Sequence, residues 1–246
     1  MRATAPHEND ARRRVTFMAS KTQAARRIQR LRYASVAFVS VIGLAIVAYG
    51  IYYATAKRST DAFVEGTDYI LLDNAAPKGA PGPVVVREFF SYYCIHCRNF
   101  DPIVEQWRTA AHDGVRFERS PVSFSPLWST MARGFYALET VGALAENHER
   151  IFHAIHEGNQ QFPTPESIAE FVDGHGTTRD AFLAAYRSTD VLKATNEADA
   201  RARATRIESV PSLTVGDRYR VNMDAVARTQ AFAVVDFLVA KVRAEH

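Results

Sequence analysis

The sequence predicts an α/β domain carrying a long helical insertion, preceded by a single N-terminal transmembrane helix. Three observations carry that prediction. A β-branched apolar run, Val84 to Phe90, leads into Cys94-Ile95-His96-Cys97, which holds the only two cysteines of the 246-residue chain. Between Pro126 and Glu208 the apolar spacing is helical throughout, whereas strand-like runs lie on either side. Finally, 24 consecutive uncharged residues, Tyr33 to Ala56, precede all of this.

That uncharged run is long enough for a helix to cross a bilayer core about 30 Å thick. Tyr33 stands at one end and Tyr49, Tyr52 and Tyr53 at the other, where amphipathic rings suit the two interfaces. A cleaved signal peptide is the alternative, because Ala54-Thr55-Ala56 has the small-x-small form of a cleavage site, but the run exceeds the usual h-region of about 7 to 15 residues. Nine Lys or Arg precede the span (Arg2, Arg12, Arg13, Arg14, Lys21, Arg26, Arg27, Arg30, Arg32), and only Lys57 and Arg58 follow it closely. The excess of positive charge places the N-terminus in the cytoplasm and everything after residue 58 outside, where disulfides form and persist. Neither the span nor its orientation needs the residues before Met18.

Charge excludes one class of partner. Residues 1–58 hold 11 basic and 2 acidic residues, so the remainder, with 19 basic and 25 acidic, is net −6 although the whole chain is +3. The high isoelectric point therefore belongs to the anchor, and no nucleic-acid surface is expected on the exported part.

The expected organisation is a basic cytoplasmic tail (1–32), a transmembrane anchor (33–56), a linker and lead-in segment (57–83) closing in a Pro/Gly cluster, and one domain (84–246). Val84 to Phe90 reads as a buried central strand that delivers Cys94 at its carboxyl end. A helix is predicted from about Cys94 to Ala111, and a second strand from Val115 to Val122. The insertion, about 126–208, follows from spacings such as Met131, Phe135, Leu138 and Ile151, Phe152, Ile155. Within it, Thr164 before Pro165 makes a good helix start, and Thr177 with Asp180 has capping-box spacing. Ser212 to Val215 and Tyr219 to Asn222 form a hairpin around Gly216-Asp217, and Ala225 to Arg243 closes the chain as an amphipathic helix. Strand, cysteine-bearing helix, strand, helical insert, hairpin and helix is the order of a thioredoxin fold with an inserted helical subdomain.

Two cysteines separated by two residues at a helix start suit thiol-disulfide exchange, which needs one attackable sulfur and a second close enough to resolve the mixed disulfide. With Cys94 at the N-cap, the free N–H groups of the first turn and the positive end of the helix dipole would stabilise its thiolate. Zinc is disfavoured, since no second cysteine pair exists and His112 has no companion until His148. Haem attachment is excluded by Arg98 where that motif requires histidine. A passive disulfide remains open, although closing so small a loop constrains the unfolded chain little. His153, His156 and Glu157 share a helical spacing but lack a third well-placed ligand, so a solvated helix face is favoured and no metal is expected. Trp107 and Trp128 read as packing or groove residues. Ser, His and Asp occur without the strand-turn context of a hydrolase.

Four segments together resemble the DsbA family of thiol:disulfide interchange proteins: Glu65-Gly66-Thr67-Asp68-Tyr69, then Glu88-Phe89-Phe90-Ser91-Tyr92-Tyr93 running into the cysteines, the long helical insert, and Ser209-Val210-Pro211-Ser212. The resemblance implies that Cys94 forms the mixed disulfide and that Cys97 is the buried resolving partner. It also makes Val210-Pro211 a cis-proline loop facing the sulfurs, where the Val210 backbone pairs with an extended substrate. Glu88 matches the family's buried acid beneath the site; taken alone, an acid in an apolar strand is either a proton-transfer group or an edge residue. His96 matches the thiolate-stabilising histidine of Cys-Pro-His-Cys, and Ile95 departs from that pattern by replacing the proline, which loosens the helix start.

The N-terminal span and the resemblance together imply a membrane-anchored, monomeric oxidase that needs no cofactor and gives its disulfide to exported, cysteine-bearing proteins. A quinone-linked membrane partner of the DsbB type would reoxidise it. The site would face the periplasm or another extracytoplasmic space, with a single pass through the inner membrane; because the helix start and His96 stabilise the Cys94 thiolate and Ile95 costs part of that effect, the reduction potential is expected between those of thioredoxin and DsbA, nearer the latter. Two alternatives stay open: an anchored thioredoxin-like reductase or isomerase, and a peptide-binding or chaperone module whose cysteines are incidental.

Overall fold

The computed structural model describes Phe38 and residues 40–49, 63–79, 81–110 and 112–245. The chain divides into two compact units, Met1–Ala62 and Phe63–His246. In the first, residues 40–49 are helical (α1). The expected basic tail lies outside the described residues, as does most of the expected span at 33–56; among those described, no helix is long and apolar enough to cross a membrane.

The second unit is built on a five-stranded sheet of order β1-β5-β4-β2-β3. Strand β2 (Val84–Phe90) is central, parallel to β3 (Val115–Pro121) and antiparallel to β4 (Ser212–Val215). β4 pairs with β5 (Tyr219–Val221), and β5 with β1 (Tyr69–Leu71). Both edges of β2 are therefore hydrogen-bonded, and side chains on both of its faces are buried, including Arg87 and Glu88, so the strand does not alternate between apolar and exposed residues.

Helix α2 (Ile95–Thr109) follows β2 directly, and the closing helix α8 (Ala231–Ala244) packs with it against one face of the sheet. Val84 and Val86 of β2 and Leu213 and Val215 of β4 meet Phe100 and Val104 of α2 and Val235 and Leu238 of α8 there. Phe100 stacks on Phe232 with rings 5.7 Å apart, and burying a side chain of that size contributes about 2 kcal/mol. Pro102 lies inside α2 and removes the bond that would have reached the Arg98 carbonyl.

The insertion consists of five helices: α3 (Pro126–Thr140), α4 (Leu144–His156), α5 (Pro165–Val172), α6 (Arg179–Arg187) and α7 (Thr189–Ala204). They enclose a second core that includes Phe135, Ile151, Phe152, Ile168 and Phe182, and it reaches Phe90 and Cys97. Thr164 caps α5 in a reciprocal box with Ser167. Gly134 lets α3 approach α5 closely, since a Cβ there would meet the Ile168 side chain at 3.1 Å.

Three local expectations need correction. The segment read as linker and lead-in contributes β1; three residues are too few to show alternation, and the strand is fixed instead by pairing Tyr69 with Val221. The cap of α6 is Thr178, whose hydroxyl accepts from the Ala181 N–H, while Thr177 is occupied in a bridge with Asp173. The last helix starts at Ala231, not Ala225: Ala227 is extended (φ −56°, ψ 136°), and a 3₁₀ turn at Arg228–Gln230 intervenes.

Candidate functional site

Cys94 is the N-cap of α2 and has extended backbone angles, so its side chain points back over the free N–H groups of the first turn. Its sulfur accepts from the Cys97 N–H at 3.3 Å, and its thiol donates to the Val210 carbonyl oxygen at 3.4 Å. The Val210–Pro211 peptide bond is cis. Both thiols are free. The Cys94 thiol is lowered to about 6, chiefly by a hydrogen bond from the Cys97 thiol; burial opposes this, and the N–H groups of Cys97 and His96 and the charge of His96 reinforce it. Burial drives the Cys97 thiol in the opposite direction, well above the thiol range, helped by the bond to Cys94 and by the nearby Glu88 charge. One sulfur is thus prepared to be a thiolate and the other to be a thiol.

Beneath Cys97 lies a buried charge network. Glu88, opposite Arg119 in the parallel β2–β3 register, accepts from the Arg119 Nε at 3.2 Å. The Nη2 of the same guanidinium donates to Asp101 Oδ1 at 2.8 Å and to Glu105 Oε1 at 2.7 Å. Burial raises the Glu88 carboxyl to about 7; Arg119 pulls it down, and Asp101 and Glu105 push it up. A single cation serving three carboxylates leaves one of them poised to exchange a proton near neutral pH.

The insert grips both flanks of the cysteine pair. Upstream, His148 Nδ1 is 2.8 Å from the Tyr92 hydroxyl, His156 Nε2 is 2.8 Å from the Tyr92 carbonyl oxygen, and the Phe162 N–H donates to the Tyr93 hydroxyl at 2.8 Å. Downstream, Arg98 donates to Glu157 at 2.9 Å, and His148 Nε2 is 3.1 Å from Asp101 Oδ1.

The structure brings Cys94, Cys97, Val210, Pro211 and Glu88 into one place, with His96 exposed on the first turn of α2. Cys94 is less open than an attackable sulfur was expected to be, at 9% exposure against 0% for Cys97, since it packs in the apolar cluster of the insert with Val210 beside it. Trp107 is a packing residue, stacked on Phe232 and donating to Asp236. Trp128 stacks on the exposed Phe124 and packs in the same small apolar cluster as Val210. His153 pairs with Glu157 at 3.0 Å on an exposed face; among the described residues no group of three or more His, Cys, Asp or Glu could hold a metal ion.

Sequence reasoning missed Arg119, Asp101, Glu105 and the role of His148. Two of these left a trace. Asp101 follows Cys97 by four residues and so shares its helix face, and a parallel pairing of the two strands sets an arginine beside Glu88. Nothing local marks His148, which lies 47 residues from its partner Asp101.

Comparison with known proteins agrees with this geometry. The profile of the DSBA-like thioredoxin domain family matches residues 85–233. The thiol:disulfide interchange protein DsbA of Azotobacter vinelandii is 35% identical over 179 residues, covering 72% of this chain and 84% of its own length. That of Pseudomonas aeruginosa is 30% identical over 206 residues, covering 83% and 97%. Its crystal structure superposes with a TM-score of 0.71 over 76% of this chain and 97% of its own. The oxidoreductase DsbA of Xylella fastidiosa superposes with a TM-score of 0.69 at 32% identity, covering 74% and 98%.

Proposed function

The chain belongs to the DsbA-like thioredoxin domain family and is a thiol:disulfide oxidoreductase, and from that premise we propose that it introduces disulfides into exported proteins through Cys94 and Cys97. The geometry of the pair carries this reading: Cys94 caps α2, accepting the Cys97 N–H at 3.3 Å, and lies 3.4 Å from the Val210 carbonyl ahead of cis-Pro211, while Cys97 is fully buried behind it. A substrate thiolate attacks Cys94 of the oxidised pair, the S–S bond breaks, and Cys97 leaves and takes up a proton. A second substrate thiolate then attacks the substrate sulfur of the mixed disulfide and expels Cys94 as a thiolate. Two electrons pass from the substrate dithiol to the enzyme, and the substrate keeps a disulfide.

Glu88 supplies and recovers the Cys97 proton, since a carboxyl near 7 is populated in both forms at neutral pH. The Val210 backbone, beside Cys94, pairs with an extended substrate strand, while cis-Pro211 next to it presents no N–H. His96 adds positive charge to the Cys94 environment. The expected outcome is that Cys94→Ser abolishes dithiol oxidation, whereas Cys97→Ser accumulates mixed disulfides visible on non-reducing gels. Mixed disulfides formed through Cys97 in Cys94→Ser would reverse the assignment.

Residues 33–56 anchor the enzyme in the cytoplasmic membrane, with the N-terminus inside and the catalytic unit in the periplasm or an equivalent space. The nine basic residues ahead of that run support this topology. There the monomeric enzyme is reoxidised by a quinone-linked membrane protein of the DsbB type. A reporter fused after His246 should be active only in an extracytoplasmic assay, and cytoplasmic activity would overturn the topology.

A further inference from the structure

His148 belongs to α4 of the insert and takes no part in the thiol exchange above, yet it is hydrogen-bonded on both flanks of the cysteine pair. Burial holds its imidazole below the ordinary value, so the ring is neutral with a single N–H. Burial also keeps the Tyr92 hydroxyl protonated. Tyr92 therefore donates to Nδ1 at 2.8 Å, and the ring N–H sits on Nε2, facing Asp101 Oδ1 at 3.1 Å. The opposite tautomer would set a lone pair against a carboxylate. Asp101 Oδ1 thus accepts from two directions, His148 and Arg119.

We propose that His148 is a positioning residue for the dithiol reaction: its bond to Asp101 meets part of that carboxylate's demand for donors and so leaves the Arg119 Nε directed at Glu88. The proposal rests on the reading of Glu88 as the proton carrier for Cys97. It also gives the insert a chemical task besides covering the site. Without the His148 donor, Asp101 draws more heavily on the guanidinium it shares with Glu105, and Glu88 loses counter-charge. The groups facing Glu88 are Arg119 from β3, Asp101, Glu105 and Cys97 from α2, and Tyr92 ahead of the cysteines. β4 sets Leu213 beside it, and α8 packs apolar side chains such as Val235 on this side of the strand.

His148→Phe keeps a ring packed against Phe90, Tyr92 and Phe152 while deleting both hydrogen bonds. His148→Gln restores a donor at the position of Nε2. Two readouts apply to the full-length protein: the Glu88 carboxyl titration, followed spectroscopically in the oxidised state, and the pH profile of mixed-disulfide resolution by Cys97, the reverse of the first exchange step, in which ionised Glu88 takes the Cys97 proton and Cys97 attacks Cys94. His148→Phe should move both inflections upward by about one pH unit. Resolution at pH 7 then slows roughly fivefold, as the ionised fraction falls from about one half to about one tenth. His148→Gln should return both towards wild type. A folded His148→Phe with an unmoved Glu88 titration overturns the proposal, as does a Gln variant that restores nothing. Should the Phe variant not fold, Tyr92→Phe, which removes one hydroxyl, must shift the titration in the same direction, and no shift there overturns the proposal equally. Glu88→Gln separates the two readings: if it leaves the wild-type resolution profile intact, the proton-carrier role of Glu88 fails, while the titration still decides the part played by His148.

Discussion

The surroundings of the two sulfurs are built by different means. Around Cys94 the groups that stabilise the thiolate come from its own turn, the N–H groups of His96 and Cys97, the Cys97 thiol and the His96 charge. Beneath Cys97 they come from β2, β3, α2 and α4, joined by Glu88–Arg119 across 31 residues and Asp101–His148 across 47. A helix start is a local device that any sequence able to begin a helix can supply. A buried network requires the whole fold, and it fails as a unit when one member is removed.

That contrast predicts where substitutions should strike. Arg119→Met takes away the cation common to Glu88, Asp101 and Glu105, and breaking a buried pair in this way costs about 3–5 kcal/mol. Chemical denaturation should show that loss, while the pH dependence of Cys94 alkylation in the folded variant stays near 6, because Arg119 is not among the causes of the Cys94 shift. A displaced Cys94 inflection would show that the two regions are not separable.

The next largest effect is a pH-dependent one. The Glu88 proton is held more tightly in the folded chain, at about 7, than at the ordinary 4.5. Its contribution to stability is fully present below 4.5 and is lost as the pH rises through 7, a change on the order of 3 kcal/mol. Glu88→Gln carries no titrating group, so its stability relative to wild type should rise by about that amount between pH 4 and pH 8. A difference that stays flat across this window would place the Glu88 carboxyl in the ordinary range and remove the basis for its proton-carrier role.

What could be read from the sequence follows the same division. The β2 run, the Cys94 cap, the helical insert and the hairpin are each encoded by neighbours in the chain. The hairpin, for instance, is announced by Gly216-Asp217, both of which take positive φ as the Arg218 N–H turns back to the Val215 carbonyl. Strand β1 and the grip of His148 depend on partners more than 40 residues away, and no pattern within either segment distinguishes them from an ordinary loop or a solvated helix face. Glu88 lay between these cases. Its acid in an apolar strand was conspicuous, but choosing between a buried acid and an edge residue required knowing that β3 and β4 flank it on both sides.

The smallest predicted effect bears on the direction of the reaction. Stabilising the Cys94 thiolate favours the reduced protein and makes the disulfide more oxidising. In thioredoxin the nucleophile lies near 7 and in DsbA near 3.5, with potentials of about −270 and −120 mV. With Cys94 at about 6, the extra ionisation at pH 7 relative to thioredoxin is worth about 1 kcal/mol. At about 30 mV per 1.4 kcal/mol this amounts to roughly 20 mV. The expected potential is therefore near −250 mV, closer to thioredoxin than the cysteine motif and the resemblance suggested. Burial of Cys94 is the opposing cause, second in size only to the Cys97 hydrogen bond. A pair at that potential would have to be kept oxidised by its reoxidant for the proposed oxidation of exported proteins to run. Equilibration with glutathione over a range of redox ratios tests that potential. A value at or below −270 mV, with Cys94 titrating near 8, would move the anchored-reductase reading ahead of the oxidase; a value near −120 mV would show that the helix start and His96 stabilise the thiolate far more than this geometry implies.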